Sequence, residues 1–203
     1  MTTPYCKRTS TDDWLFDISG SDTSDTIVIN FIGSINNDLA INFTATVRCI
    51  MCHQPQVHNV YIHIDSHGGG SSAVHKVIDM FDGLRHSGRL KRVVTIMTGY
   101  CASAGVMLAL GAATLGDVVA TENAFIFTHE PFFNSGEQKV TEASLLFNLK
   151  RFKLYNQFDN EIYMRNLALQ KTKVLVNGDC WWTAKEALEV GLINRVSNII
   201  DKY

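Results

Sequence analysis

The sequence predicts an α/β fold with a mostly parallel sheet, and two observations carry that expectation. Strand-like apolar runs alternate with segments of helical periodicity, and the connections between them are short. Short connections between alternating elements imply crossover units, which set the strands side by side in parallel. The chain has 203 residues, 46% of them hydrophobic, enough for one substantial core.

Residues 1–25 are polar and rich in Ser, Thr and Asp, and read as an arm of weak local structure. A single domain over residues 26–203 follows. Ile27 to Ile32 is a strand-like run closed by Gly33, and a helix is expected from Asn37 to Met51. Val57 to Asp65 alternates as a buried strand and stops at Ser66-His67-Gly68-Gly69-Gly70-Ser71-Ser72. Val74, Val77, Ile78, Phe81 and Leu84 then recur at helical spacing. Val93 to Met97 is the next strand, followed by the small-residue turn Gly99 to Gly105 and an apolar helix from Val106 to Ala113. Asp117 to Thr121 and Ala124 to Thr128 read as two short strands.

From Thr141 to Leu169 the pattern becomes one long helix, with Leu145, Leu149, Phe152, Tyr155, Phe158 and Ile162 in a stripe. Its apolar face suits either the core or an oligomer contact. Thr183-Ala184-Lys185-Glu186 is a capping box opening a short helix that ends at Gly191, and Leu192 to Val196 is a last strand.

Composition excludes several classes. A formal net charge of −2 without any Lys/Arg block argues against nucleic acid or an anionic membrane as partner. No apolar run reaches spanning length, and the first residues lack the apolar core of a signal peptide, so a cytoplasmic protein is expected. Five cysteines give no disulfide framework. Cys49-Ile50-Met51-Cys52-His53 matches haem-attachment spacing, but it lies in a helical stretch without a second CxxC and reads as a chance match. No metal or organic cofactor is expected.

Chemistry in parallel sheets gathers at the carboxyl ends of strands. Ser103 sits at such an end, at a helix N-terminus where free N–H groups favour negative charge. Close packing alone also explains its small neighbours. His129 ends the apolar strand Phe125-Ile126-Phe127-Thr128, whereas His53, His58, His75 and His86 lie on or beside helices without a convergent partner. A carboxylate to orient the histidine is offered by Asp179, with Asp65, Asp82 and Asp117 as rivals. Gly68-Gly69-Gly70 permits close backbone approach but matches neither the P-loop nor GxGxxG.

Four segments in order carry a family resemblance: Ile64 to Gly70, Gly99 to Gly105, Thr128-His129-Glu130-Pro131, and Asp179 through Ile193. Over residues 27–196 the chain resembles ClpP, the proteolytic subunit of Clp protease, whose chain order of Ser, His and Asp it shares. The resemblance implies a repeated β-β-α superhelix of the ClpP/crotonase type and a protruding handle helix at 141–169. It implies a serine endopeptidase acting on peptides or unfolded proteins, with Ser103 as nucleophile, His129 as base and acid, and Asp179 as orienting carboxylate. The N–H groups of Gly69 and Ala104 would form the oxyanion hole. Gly69, Gly70, Ser71 and Ser72 would pair with an extended substrate by strand addition. It implies further a homo-oligomer of heptameric rings, two stacked through the handle, and a Clp-type ATPase that feeds the chamber. His67 stands where the family usually has proline, the turn before Asp179 is shortened, and the N-terminal arm does not resemble the family's axial-pore segment. A crotonase-type acyl-CoA enzyme and an inactive ring subunit are the alternative readings.

Overall fold

The computed structural model describes residues 5–11, 13–129, 141–166 and 178–197. Glu130, Pro131 and the expected end of the long helix at 167–169 lie outside these residues. The elements in chain order are β1 (Tyr5–Ser10), β2 (Trp14–Gly20), β3 (Thr26–Ile35), α1 (Asn37–His53), β4 (Asn59–Gly69), α2 (Ser71–His86) and β5 (Arg92–Ala102). Then follow α3 (Ala104–Ala112), β6 (Val118–Thr121), β7 (Phe125–Thr128), α4 (Glu142–Asn166), β8 (Cys180–Thr183), α5 (Ala184–Glu189) and β9 (Arg195–Ser197).

Among the described residues the sheet runs β1-β2-β3-β4-β5-β6-β9, with β7 pairing with β5 and β8 instead. The pairs β3–β4, β4–β5, β5–β6, β5–β7 and β6–β9 are parallel, as expected for crossover units. β5 changes neighbour part-way along: Thr95–Met97 pair with β6, and Tyr100–Ala102 pair with β7. The sheet therefore splits at the carboxyl end of β5.

The polar arm is a correction. Residues 5–10 and 14–20 form an antiparallel hairpin, and β2 pairs antiparallel with β3. Trp14, Phe16 and Ile18 are buried while Leu15, Asp17 and Ser19 are less so, the period of a half-buried strand. Serine- and aspartate-rich flanks hide that alternation when composition is averaged over the whole segment. Phe16 packs edge-on against Phe43 of α1 at 5.4 Å, and Phe43 against Phe81 of α2 at 6.2 Å, so β2 belongs to the main core.

β5 is buried on both faces. Val93 and Met97 join the main core, Val94 and Ile96 a smaller cluster with Val119, and Thr95 hydrogen-bonds Ala109 of α3. α3 is buried all round, as its uniformly apolar sequence requires. A side chain at Gly111 would overlap Ile78 of α2 and Ile162 of α4, so glycine there lets both helices close on α3.

α4 spans 25 residues, and its stripe is only partly used. Leu145, Leu149 and Phe158 are exposed, whereas Asp159 and Ile162 are buried. Near its end Arg165 binds Asp82 of α2 at 2.7 Å, and Asp82 also takes Arg85 at 2.5 Å. Burial opposes ionisation of Asp82, but the two guanidinium hydrogen bonds outweigh it and hold the carboxyl below its usual 3.8.

Two outcomes are expected. Phe16→Ala should cost about 3–5 kcal/mol in urea denaturation; a loss near zero would return β2 to the status of a loose arm. Because the Asp82 carboxyl is lowered in the folded state, its stabilisation is present above pH 3.8 and lost as pH falls through the lower folded value. Asp82→Asn should therefore lower the melting temperature at neutral pH, and the gap to the native chain should close below about pH 4.

Candidate active site

The split at the end of β5 sets Ser103 next to β7. Ala102 is paired with Phe127, and the Ser103 backbone N–H donates to the Phe127 carbonyl at 2.8 Å. Two residues beyond Phe127 stands His129, and its Nε2 lies 2.7 Å from Ser103 Oγ. A hydroxyl donating to an imidazole at that distance is placed to lose its proton to it. The imidazole stacks on Phe127 at 5.5 Å, and Trp181 of β8 backs Phe127 at 4.4 Å.

Ser103 is the N-cap of α3 with φ 54° and ψ −123°, and among the described residues it is the sole non-glycine residue with positive φ. Such a conformation costs about 1–3 kcal/mol and persists only where the surroundings hold it. Here β7 holds it on one side and the end of β4 on the other. A Cβ at Gly68 would stand 2.8 Å from both the Ala102 carbonyl oxygen and Ser103 Cβ, so only glycine lets β4 come this close.

Around the pair lies a pocket of about 440 Å³ lined by His67, Gly69, Ser71, Ala104, Asp159 and Tyr163, among others. Gly69 and Ala104, the expected oxyanion donors, both reach it. The expected extended edge at Gly69–Ser72 is shorter than anticipated. Gly70 is extended (φ −78°, ψ 118°), but Ser71 and Ser72 already belong to α2, and Ser72 is exposed away from the pocket. Gly70 offers no side-chain cap, so the sequence carries no signal of that helix start.

Asp179 immediately precedes β8, where Thr128 is paired with Cys180 in an antiparallel ladder. Continuing that register by one residue sets Asp179 opposite His129. The Asp179 side chain is exposed, and no described hydrogen bond or ion pair links it to His129. The rival carboxylates are engaged elsewhere: Asp65 accepts the Tyr100 N–H, Asp82 binds its two arginines, and Asp117 binds Arg92 at 2.6 and 2.8 Å. Cys101 adjoins the site, but burial, and then the Asp65 charge, push its thiol far above the ordinary range and leave it inert. Cys49 and Cys52 are exposed on α1, and no metal-binding cluster of His, Cys, Asp or Glu occurs among the described residues.

Sequence reasoning missed Asp159 and dismissed His75. Asp159 Oδ1 accepts a hydrogen bond from His75 Nε2 at 2.8 Å, so His75 does have a convergent partner. A signal existed, since Asp159 lies one helical turn before Ile162, on the buried side of the stripe.

A sequence model described as Clp protease matches residues 15–199. The chain belongs to the Clp protease family. Within this family it is similar to ATP-dependent Clp protease proteolytic subunit 2 of Bacillus licheniformis, 29% identical over 96% of this chain and 98% of that one. Proteolytic subunit 1 of Leifsonia xyli is 28% identical over 83% of this chain and 82% of its own. Proteolytic subunit 2 of Prochlorococcus marinus is 27% identical over 83% and 81%. Clp protease membership carries the peptidase class and agrees with the mostly parallel α/β fold. Among the described residues no helix is long and apolar enough to cross a membrane.

Gly68→Ala tests how Ser103 is held. Its methyl group must displace Ala102 or Ser103, so fluorophosphonate labelling of Ser103 should slow at least about tenfold while circular dichroism stays native. Labelling at the native rate would show that β4 does not position Ser103.

Proposed function

We propose that this Clp-protease-family chain is a serine endopeptidase that cleaves peptides and unfolded proteins through Ser103, His129 and Asp179. The observation that carries the reading is the 2.7 Å approach of Ser103 Oγ to His129 Nε2, at a serine held in a strained conformation at a helix N-terminus. His129 takes the hydroxyl proton as Ser103 Oγ attacks the scissile carbonyl. The carbonyl oxygen becomes an oxyanion held by the N–H groups of Gly69 and Ala104, where the α3 dipole adds to the attraction. His129 then returns the proton to the leaving amine, and water hydrolyses the acyl-enzyme by the same steps in reverse. Asp179 orients the imidazole and stabilises its cationic form, a role favoured by its ladder position opposite His129.

The exposed leucines and phenylalanines of α4 favour assembly into stacked rings enclosing a chamber, since so large an apolar face is costly on a monomer. The relatives' names, which make them subunits of an ATP-dependent protease, favour a Clp-type ATPase as the partner that delivers substrate. An acyl-CoA enzyme of crotonase type would leave the Ser103–His129 contact without a task.

Ser103→Ala and His129→Ala should each lower peptide cleavage by roughly a thousandfold or more, and Ser103→Ala should also remove fluorophosphonate labelling. Native mass measurement should find the same assembly in both variants. Undiminished cleavage by Ser103→Ala would sink the assignment. Asp179→Ala should reduce kcat by about tenfold to a thousandfold with little change in KM; an unchanged kcat would remove Asp179 from the site.

A further inference from the structure

The pocket beside Ser103 carries a buried carboxylate that the proposed cleavage steps do not use. Asp159 is 5% exposed and lines this pocket together with Ser103, Met107, Phe127 and Tyr163. A carboxylate only accepts hydrogen bonds, so the 2.8 Å contact has His75 Nε2 donating to Oδ1. No described protein donor reaches Oδ2. Nor is Oδ2 among the fully enclosed polar atoms lacking a partner, and its residue lines the pocket.

Among the described residues the permanent charge around this group is one-sided. The other titratable groups lining the pocket are His67, Tyr100, His129 and Tyr163, and among the described residues no lysine or arginine lines it. His75 satisfies one oxygen of Asp159, and among the described residues no lysine or arginine bonds the other. Tyr163 senses the carboxylate: burial first, and then the Asp159 charge, push its hydroxyl above the ordinary tyrosine value. A buried carboxylate with an open oxygen is costly, and an apolar side chain entering the pocket would strip water from Oδ2 and return nothing. A side chain ending in a cationic donor would supply both the missing hydrogen bond and the countercharge.

We infer that Asp159 makes this the specificity pocket for a lysine or arginine side chain on the residue whose carbonyl Ser103 attacks. The inference rests on the serine-peptidase reading, because it is Ser103 that fixes which substrate residue lies beside Asp159. Asp159 reaches this position because α4 closes on α3 over Gly111, with Ile162 one turn further along. The same helix thus offers an exposed apolar face at one end and a wall of the pocket at the other.

The test compares fluorogenic peptides identical except at the residue before the cleaved bond, which is arginine, citrulline or leucine. Citrulline keeps the shape and most donors of arginine without its charge. At about pH 8, where histidine side chains as a class are neutral, arginine should exceed both others in kcat/KM by about tenfold to a hundredfold. Asp159→Asn should reduce that advantage to within about threefold. A measurement on the native chain alone guards against a variant that fails to fold: benzamidine should slow fluorophosphonate labelling of Ser103, and neutral benzamide should not. Labelling with leucine used as well as arginine, or with an arginine advantage that survives Asp159→Asn, overturns this inference and leaves the peptidase reading intact. Absence of both labelling and cleavage overturns the peptidase reading, and this inference with it.

Discussion

The backbone bond from the Ser103 N–H to the Phe127 carbonyl, 2.8 Å long, ties the end of β5 to the strand that leads into His129. Because β5 and β7 run parallel, their carboxyl ends point the same way, and residues just past Ala102 and Phe127 emerge together. One register therefore decides the separation of hydroxyl and imidazole. A slip of a single residue would turn every side chain of the four-residue β7 to the opposite face and take the imidazole away from Ser103. The antiparallel strand β8 locks the register from the other side, through its ladder and through the Trp182 Nε1–H bond to Thr128 Oγ1 at 3.0 Å.

Such a junction needs room, and the small residues supply it. Ser103 keeps a positive φ because β7 and the Gly68 end of β4 close on it from two sides. At the far end of α3, Gly111 admits Ile78 and Ile162 and so brings α4 down over the site. Packing and chemistry are consequently one requirement: the contacts that bury α3 also aim its N-terminus, hold its capping serine and deliver Asp159 to the pocket wall.

Much of this was legible in the sequence because it depends on local patterns. Strand β7 reads plainly from Phe125-Ile126-Phe127-Thr128, the capping box at Thr183 reads from four residues, and Ser103 and His129 follow from the rule that parallel strands gather chemistry at one edge. The parts that escaped have physical reasons. Strand β2 alternates Trp14, Phe16 and Ile18 within a segment whose average composition is polar. The start of α2 is uncapped at Gly70, so only the later spacing of Val74, Val77 and Ile78 announces that helix. The pairing of His75 with Asp159 joins helices 84 positions apart and depends on how α4 docks, which no local pattern encodes.

The account stands on Ser103 and His129 acting as one unit, and a peptidyl chloromethyl ketone interrogates both at once. Its carbonyl is attacked by a serine hydroxyl, and its chloromethyl carbon then alkylates the neighbouring imidazole with loss of chloride. Peptide mapping of the inactivated protein should find the alkyl group on His129, and Ser103→Ala should slow that modification by roughly a hundredfold or more. Modification at the same rate without the Ser103 hydroxyl, or alkylation of another residue while His129 stays intact, would contradict it.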